Sequence, residues 1–270
     1  MIRFDALALA AMMAGAFAGT AFAADLSPTV KMPEVSVKDA QGWYVRGDFG
    51  YAVNASHDDP TFRSYDPVGG DYDSGHFDSD RFGGDFSGGV GVGYQFNDLL
   101  RADITGDYFS GDFKGKISSD APCAGGAAGT GCSTKARSSF TAGSLMLNGY
   151  VDLGTLAGFT PYLGAGLGGT RVSWDHVNVV GSCVGGVAGC GGAASVSNRY
   201  SGGSDWRMTY ALMAGVAYEV APNIKVDLGY RFSHVAGGDM FGSSSADGTS
   251  GRDGALSRHE IRIGLRITTW

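Results

Sequence analysis

Apolar and polar residues alternate along most of the chain with a period of two, which is typical of β-strands. In residues 43–53, for example, Val45, Phe49 and Tyr51 take one face, whereas Arg46 and Asp48 take the other. The same alternation recurs along the chain and predicts eight strands, at 43–53, 81–96, 100–109, 141–153, 159–174, 205–220, 224–232 and 258–269.

The connections between these segments alternate in length. Three are short (97–98, 154–158 and 221–223), and four are longer than twenty residues (54–80, 110–138, 175–204 and 233–257). A water-soluble domain has no reason to place every long connection at one end, whereas outer-membrane barrels have tight periplasmic turns and longer external loops. The pattern predicts an all-β fold, an eight-stranded antiparallel up-and-down transmembrane β-barrel with long external loops and short periplasmic turns. A soluble secreted barrel is the alternative.

The residues on the two faces of the strands indicate the environment that each face meets. Charges of both signs lie two residues apart on single strands, which favours a salt-bridged barrel interior. The predicted interior charges are Arg46, Asp48, Arg101, Asp103, Lys225, Asp227, Arg231, Glu260, Arg262 and Arg266. Aromatic residues fall near strand ends and predict two interfacial girdles. They are Trp43, Tyr94, Phe96, Phe159, Tyr162 and Tyr218 near the short turns, and Tyr51, Phe82, Tyr108, Trp174, Trp206 and Phe232 near the long loops.

The N-terminus has the form of a cleaved export signal. Arg3 precedes an apolar run, and Ala21-Phe22-Ala23 has the small-x-small pattern of a signal peptidase site. We expect a signal peptide at 1–23, a periplasmic N-terminal segment at 24–41 and the barrel at 42–270. The mature part has no apolar run of eighteen residues, so that it would enter a membrane only as strands. The expected location is the cell outer membrane, as an integral multi-pass barrel.

Composition narrows the function classes. Glycine accounts for 46 of 270 residues, and the formal net charge of −7 argues against a nucleic-acid partner.

The four cysteines fall in pairs within two long loops of an exported chain, which predicts the disulfides Cys123–Cys132 and Cys183–Cys190. Metal ligation by these cysteines is the alternative, but their spacings are loose and no histidine lies beside them in a known zinc pattern.

The chain resembles the small eight-stranded outer-membrane proteins typified by the OmpA membrane domain and OmpX, and most of all their alphaproteobacterial surface-antigen, porin-family branch. The similar stretches are residues 42–51 (GWYVRGDFGY), 161–168 (PYLGAGLG) and 259–266 (HEIRIGLR). The terminal aromatic residue Trp270 also fits and would serve as the assembly signal, although it is out of phase with Ile263, Leu265 and Ile267. The resemblance implies an architecture and no particular activity.

Three further motifs have a chemical and a structural interpretation. Residues 164–169 (GAGLGG) match a dinucleotide fingerprint but lie inside a strand and open no helix, so we interpret them as a small inward face. The aspartates of the first loop could hold calcium, but no twelve-residue calcium loop is present, which favours a solvated acidic surface. His234 follows Ser233 on adjacent, opposite-facing positions, and Ala236 stands where a lipid A deacylase would have its nucleophile.

The sequence therefore predicts a structural and surface-exposed protein that supports envelope integrity and offers its loops for adhesion or recognition. An eight-stranded barrel is just wide enough for side chains to fill. A small porin or transporter with a glycine-widened interior is the alternative, and a lipid A-modifying enzyme is a weaker one. We expect no enzyme activity, cofactor or bound metal. Expected partners are outer-membrane lipid, lipopolysaccharide, the barrel-assembly machinery and an extracellular ligand or host surface that the sequence does not identify.

Overall fold

The structure is a computed structural model that describes residues 41–58, 60–65, 72–83, 86–120, 122–123, 129–186, 190, 196–242 and 250–269. The expected signal peptide, most of the segment 24–41, and Trp270 lie outside these residues. Within the described ranges, no helix is both long and apolar enough to cross a membrane.

The described residues form fifteen strands. In chain order they are β1 (Gly42–His57), β2 (Thr61–Tyr65), β3 (Tyr72–His76), β4 (Ser79–Gly83), β5 (Phe86–Gln95), β6 (Leu100–Ser119), β7 (Thr130–Asp152), β8 (Phe159–Trp174), β9 (Val177–Gly186), β10 (Val196–Tyr200), β11 (Ser204–Ala221), β12 (Ile224–Val235), β13 (Gly238–Gly242), β14 (Ser250–Asp253) and β15 (Leu256–Thr268).

Eight of these strands close into a ring. The order around it is β1, β5, β6, β7, β8, β11, β12 and β15, and every neighbouring pair is antiparallel. The first strand pairs with the last from Tyr44 opposite Thr268 to His57 opposite Leu256, which leaves the ring without a free edge. Closure pairs the backbone groups of every ring strand, as a strand in lipid requires.

The short connections are tight turns, as predicted. The side-chain oxygen of Asn97 accepts hydrogen bonds from the backbone N–H groups of Leu99 and Leu100, at 2.9 and 2.8 Å, which is the capping role of asparagine in turns. Gly154 and Gly158 have φ of 96° and 83° in the second turn, a backbone conformation that favours glycine.

The long connections contain further strands that the alternation of residues did not predict. β6 and β7 continue together as far as Ser119 opposite Cys132, so the second connection is an extended hairpin. The first and fourth connections contribute a separate sheet in the order β13-β14-β2-β3. The predicted strand 81–96 is described in two parts, β4 and β5, which both pair with β6, and residues 84–85 between them lie outside the described residues.

The apolar face of the wall changes side along the strands. Between the short turns and the outer aromatic residues, the outward side chains are apolar and exposed. This lipid-facing wall includes Val45, Phe49, Val90, Ile104, Leu145, Leu147, Leu163, Leu167, Leu212, Leu228, Ile261 and Ile263. Beyond that level, in what we call the external part, apolar side chains point inward instead. They form an apolar core of Phe109, Phe113, Ala136, Phe140, Ala142, Val172, Trp174, Val177, Val235, Met240, Phe241 and Leu256.

Candidate functional site: the filled interior and the external wall

The ten predicted interior charges all point into the barrel, where none of their side chains is more than 16% exposed. Most of their partners lie on other strands. Arg46 binds Asp48 on its own strand at 2.7 Å, but it also reaches Asp103 on β6 at 3.1 Å. The Tyr44 hydroxyl donates a hydrogen bond to the same Asp103 carboxylate at 3.0 Å. The Arg46 network therefore joins β1 to β6 across the interior.

Arg101 fills the interior next to this network. Its Nε binds the Asp152 carboxylate at 3.1 Å, and not that of Asp103 two residues away. The guanidinium lies over the rings of Tyr150 and Tyr162, 3.9 and 4.8 Å from their centroids, which is the range of cation–π contacts. The predicted girdle position of Tyr162 is wrong, because this ring is buried inside the barrel.

Glycines on inward faces leave room for these large side chains. A Cβ added to Gly93 would clash with Tyr44 Cζ, and one added to Gly164 would lie 2.5 Å from Tyr150 Cδ1. The dinucleotide-like residues 164–169 lie within β8 and are followed by β9, not by a helix. The inward glycines, which could have widened a pore, therefore leave space for aromatic rings instead.

A second charged cluster lies closer to the external part. The Asp107 carboxylate binds Arg231 at 3.0 Å and also contacts Arg262. Beside it, Glu260 binds Arg258 at 3.0 Å and accepts a hydrogen bond from the Ser87 hydroxyl at 2.7 Å. Arg258 carries a charge that the interior prediction missed, although it lies two residues before Glu260 and has the same parity.

The remaining interior charges lie nearer the short turns. Asp227 binds Arg266 on β15 at 3.1 Å. Lys225 lies 3.9 Å from Glu219 across the β11–β12 hairpin rather than against Asp227 on its own strand. The interior charges therefore neutralise one another mostly between strands.

The apolar core closes the barrel above these charges. Trp174 packs against Phe113 and Phe140, with ring centroids 6.1 and 4.9 Å apart. Trp174 is 6% exposed and points inward, so its predicted place in the outer girdle is wrong. Phe77, from the first connection, packs against Phe113 at 5.3 Å and extends the core. The lumen is thus occupied by charged pairs at the level of the membrane and by aromatic rings outside it.

A buried ion pair joins the external sheet to the ring. Arg207 on β11 binds Asp253 on β14 at 2.6 Å, and Asp253 also accepts a hydrogen bond from the Gly238 N–H at 2.9 Å. Burial raises the pKa of the Asp253 carboxyl above its ordinary value, against the opposing effect of the Arg207 charge. Asp253 and Arg207 carry no sequence signal beyond their charge, and the sequence analysis did not identify them.

The structure joins Cys123 to Cys132 and Cys183 to Cys190. Cys132 on β7 lies opposite Cys183 on β9, so the two disulfides are neighbours at one place in the external part. Each bridge joins cysteines that are close in sequence, nine residues apart in the first and seven in the second.

Candidate chemistry outside the interior is sparse. Among the described residues, no group of three or more histidine, cysteine or acidic side chains could hold a metal ion. Asp59, Asp66 and Asp71 of the acidic loop lie outside the described residues. His234 is hydrogen-bonded through Nδ1 to the Ser257 hydroxyl at 3.0 Å, and not to the adjacent Ser233, which is buried inside.

A model of the outer membrane protein beta-barrel domain matches residues 6–266. The chain belongs to this family. The barrel is therefore integral to the outer membrane, with its apolar wall in lipid, its short turns in the periplasm and its long connections outside the cell.

Relatives of this outer-membrane barrel support the assignment. The chain is 33% identical to an uncharacterized protein of Brucella abortus, over 83% of this chain and 84% of that protein. It is 28% identical to the outer membrane protein PagN of Salmonella typhimurium, over 78% of this chain and 82% of PagN. It is also 28% identical to a putative adhesin of Rickettsia bellii, over 67% and 74% of the two chains.

Proposed function

We propose that the protein is a closed surface barrel that supports envelope integrity and acts in adhesion or recognition through its external part. The observation that carries this proposal is the filled lumen. Cross-strand ion pairs occupy it within the membrane, and the apolar core occupies it outside. A solute passing through would have to displace both layers, so transport is the less favoured function.

The external part has the properties of a presented surface. β6 and β7 extend as one hairpin well beyond the lipid-facing wall, and two disulfides constrain the neighbouring connections. The relatives named as adhesins support a contact function for such a surface in this chain.

Solute flux through liposomes tests the closed lumen. The refolded mature chain should pass small solutes no faster than empty liposomes, and a shift in gel mobility on boiling serves as the folding control. Flux well above background that changes on Arg46→Ala or Arg101→Ala substitution would show a working channel and overturn the proposal.

Adhesion is tested on intact cells. A non-adherent bacterium that expresses the chain should bind host cells better than one that expresses a variant with residues 120–131 replaced by Asn-Gly together with Cys132→Ser. This variant loses the tip of the β6–β7 hairpin and the Cys123–Cys132 disulfide. It keeps residue 119 opposite residue 132, so the strand pairing that supports the ring and the apolar core is retained. Equal binding by both strains, with equal surface expression, would argue against recognition by this hairpin.

Export and assembly complete the proposal. A signal peptide cleaved after Ala23 would deliver the chain to the periplasm, and the barrel-assembly machinery would bind the last strand and Trp270. N-terminal sequencing of protein from outer membranes tests the first step, and a mature start other than Ala24 would contradict it. Accumulation of a Trp270→Ala variant in the periplasm tests the second.

The proposal gives the chain no catalytic role. Within the described residues, no carboxylate is hydrogen-bonded to the His234 imidazole, which is hydrogen-bonded to the Ser257 hydroxyl and stacks on the Tyr210 ring. General-base catalysis by a histidine usually needs a carboxylate as an orienting group. Lipid A mass spectra from strains with and without the gene should be the same. A missing acyl chain that depends on His234 would overturn this part of the proposal.

A further inference from the structure

Four basic residues lie together on the outward side of the external β6–β7 hairpin. Lys114 lies directly opposite Arg137, and Lys116 lies directly opposite Lys135. All four are exposed, whereas the alternating residues Phe113 and Ala136 are buried in the apolar core. We call this group the basic face. It stands out in a chain whose net charge is −7 and that has 20 lysines and arginines in total.

The basic face is unfavourable for the fold by itself. Like charges directly opposite each other on a sheet are destabilising. Among the described parts of the chain, no carboxylate forms an ion pair with any of the four side chains, although Asp112 lies two residues before Lys114 on the same face. Two facing pairs of cations would be stabilised by negative charge from outside the chain.

The height of the basic face indicates that source. On β6, the outward residues run from Ile104 in the lipid-facing wall to Tyr108 in the outer girdle and then to Lys114. Six residues separate Tyr108 from Lys114, about 20 Å along the strand and roughly 15 Å above the girdle for a typical barrel tilt. At that height, the barrel wall faces the charged saccharide region of the outer leaflet.

A fifth cation lies lower on the same wall. Arg171 on β8 is in one cross-strand row with Gly143 and Tyr108 on one side and Trp206 on the other. It is exposed on the lipid-facing wall at the level of the girdle, where its guanidinium donates two hydrogen bonds to the Ser204 hydroxyl at 3.2 and 3.1 Å. A cation at this depth is expected to meet a lipid head group.

An apolar groove runs beside Arg171. Gly88, Gly106 and Gly143 have no side chain to fill the wall here, and together with the larger neighbours Tyr108 and Trp206 they border an open cavity of about 570 Å³. A Cβ added to Gly88 or Gly143 would meet nothing within 4 Å. The groove is therefore shaped for an acyl chain whose head group is next to a cation.

We propose that this wall is a binding site for lipopolysaccharide, the phosphorylated glycolipid of the outer leaflet. The groove takes an acyl chain, Arg171 binds a phosphate of the lipid A head group, and the basic face binds anionic groups of the core saccharide. Val90, Gly106 and Leu145 extend the groove from the row of Arg171 toward the short turns, and the basic face lies farther out, so the wall meets the acyl chain, the head group and the core saccharide in that order. The site rests on the outer-membrane location and not on the proposed adhesion role, and an adhesion defect without loss of glycolipid binding would separate the two.

Binding of purified core-phosphorylated lipopolysaccharide to the refolded mature chain in neutral detergent micelles tests the site. The Lys114→Ser/Arg137→Ser variant should bind at least tenfold more weakly, because each basic side chain near an anionic lipid contributes roughly a fivefold factor. Arg171→Ser should also bind more weakly. The matched control is Arg63→Ser/Arg252→Ser, which removes two exposed cations from the separate external sheet and should change the dissociation constant less than threefold.

Two further ligands test which molecule supplies the negative charge. Enzymatically dephosphorylated lipopolysaccharide should bind the unaltered chain at least tenfold more weakly, and heparin fragments should bind more weakly than the intact glycolipid. The proposal would be overturned if the two double variants weakened glycolipid binding equally, or if the basic-face variant did not weaken it. It would also be overturned if the dephosphorylated glycolipid bound as tightly as the phosphorylated one. Tighter binding of heparin would overturn it as well, since the basic face would then serve a soluble polyanion.

Discussion

Replacing Asp107 with asparagine tests whether the interior ion pairs hold the barrel together. This carboxylate is 7% exposed and is shared by Arg231 and Arg262, while Thr105 donates a further hydrogen bond at 3.3 Å. Its removal leaves two guanidinium groups buried with their main counter-charge gone. Breaking one partner of a buried pair costs about 3–5 kcal/mol, which is roughly two to four powers of ten in the unfolding equilibrium at about 1.4 kcal/mol per power of ten.

The assay is urea unfolding of the chain refolded in lipid vesicles, followed by tryptophan fluorescence and by gel mobility without boiling. The free energy of unfolding is obtained by linear extrapolation. Asp112→Asn is the control, because it makes the same change on the same strand at an exposed outward position and should stay within about 0.5 kcal/mol of the unaltered chain. A loss below 1 kcal/mol for Asp107→Asn, or an equal loss for both variants, would refute the reasoning.

Three further predictions concern the filling of the lumen and the external part. Gly164→Ala should destabilise the barrel by about 1–3 kcal/mol in the same urea assay, since its Cβ would press on the Tyr150 ring, whereas Gly149→Ala, which points into open space, should not. Trp174→Ala should lower the free energy of unfolding by about 3–5 kcal/mol, because it removes a buried ring from the apolar core. An unchanged midpoint of urea unfolding would show that this ring does not unfold together with the barrel. Reduction of the disulfides should speed protease cleavage of the external part, whereas the gel mobility of the folded barrel should persist. Each bridge closes a loop of about ten residues and contributes roughly 2–3 kcal/mol to the free energy of unfolding. Unchanged cleavage would mean that the bridges constrain little.

The ring strands could be predicted from the sequence because lipid imposes a strict alternation on them. In β1, for example, Val45 and Phe49 are exposed to the outside and Arg46 and Asp48 are inside, as their order predicts. The short turns also carry recognisable residues such as Asn97. These signals are local, so a single chain is enough to find them.

The partners of the interior charges could not be predicted from one strand at a time. Residues two apart on a strand are nearly 7 Å apart, whereas residues opposite each other on neighbouring strands are about 5 Å apart. Arg101 therefore binds Asp152, near its cross-strand neighbour Tyr150, rather than Asp103. Register decides such contacts, and register depends on the whole ring.

The external strands were missed because the apolar parity reverses within single strands. On β6 the outward apolar residues are Ile104 and Tyr108, at even positions, whereas the buried ones farther out are Phe109 and Phe113, at odd positions. β7 does the same in reverse, from Leu145 outside to Phe140 inside. A search for one continuous period ends the strand at the reversal, although the backbone pairing continues without a break.

The reversal also explains why the barrel is closed. Within the membrane the outward side chains must be apolar, so that the lumen receives the charges and must pair them. Outside the membrane the same wall faces water on its outer side, which lets Phe113 and Trp174 point inward and exclude water from the mouth. Each level fills the lumen for its own physical reason. A change that opens one level, such as Arg101→Ala, therefore leaves the other in place, and we expect measurable flux only when both levels are disrupted together.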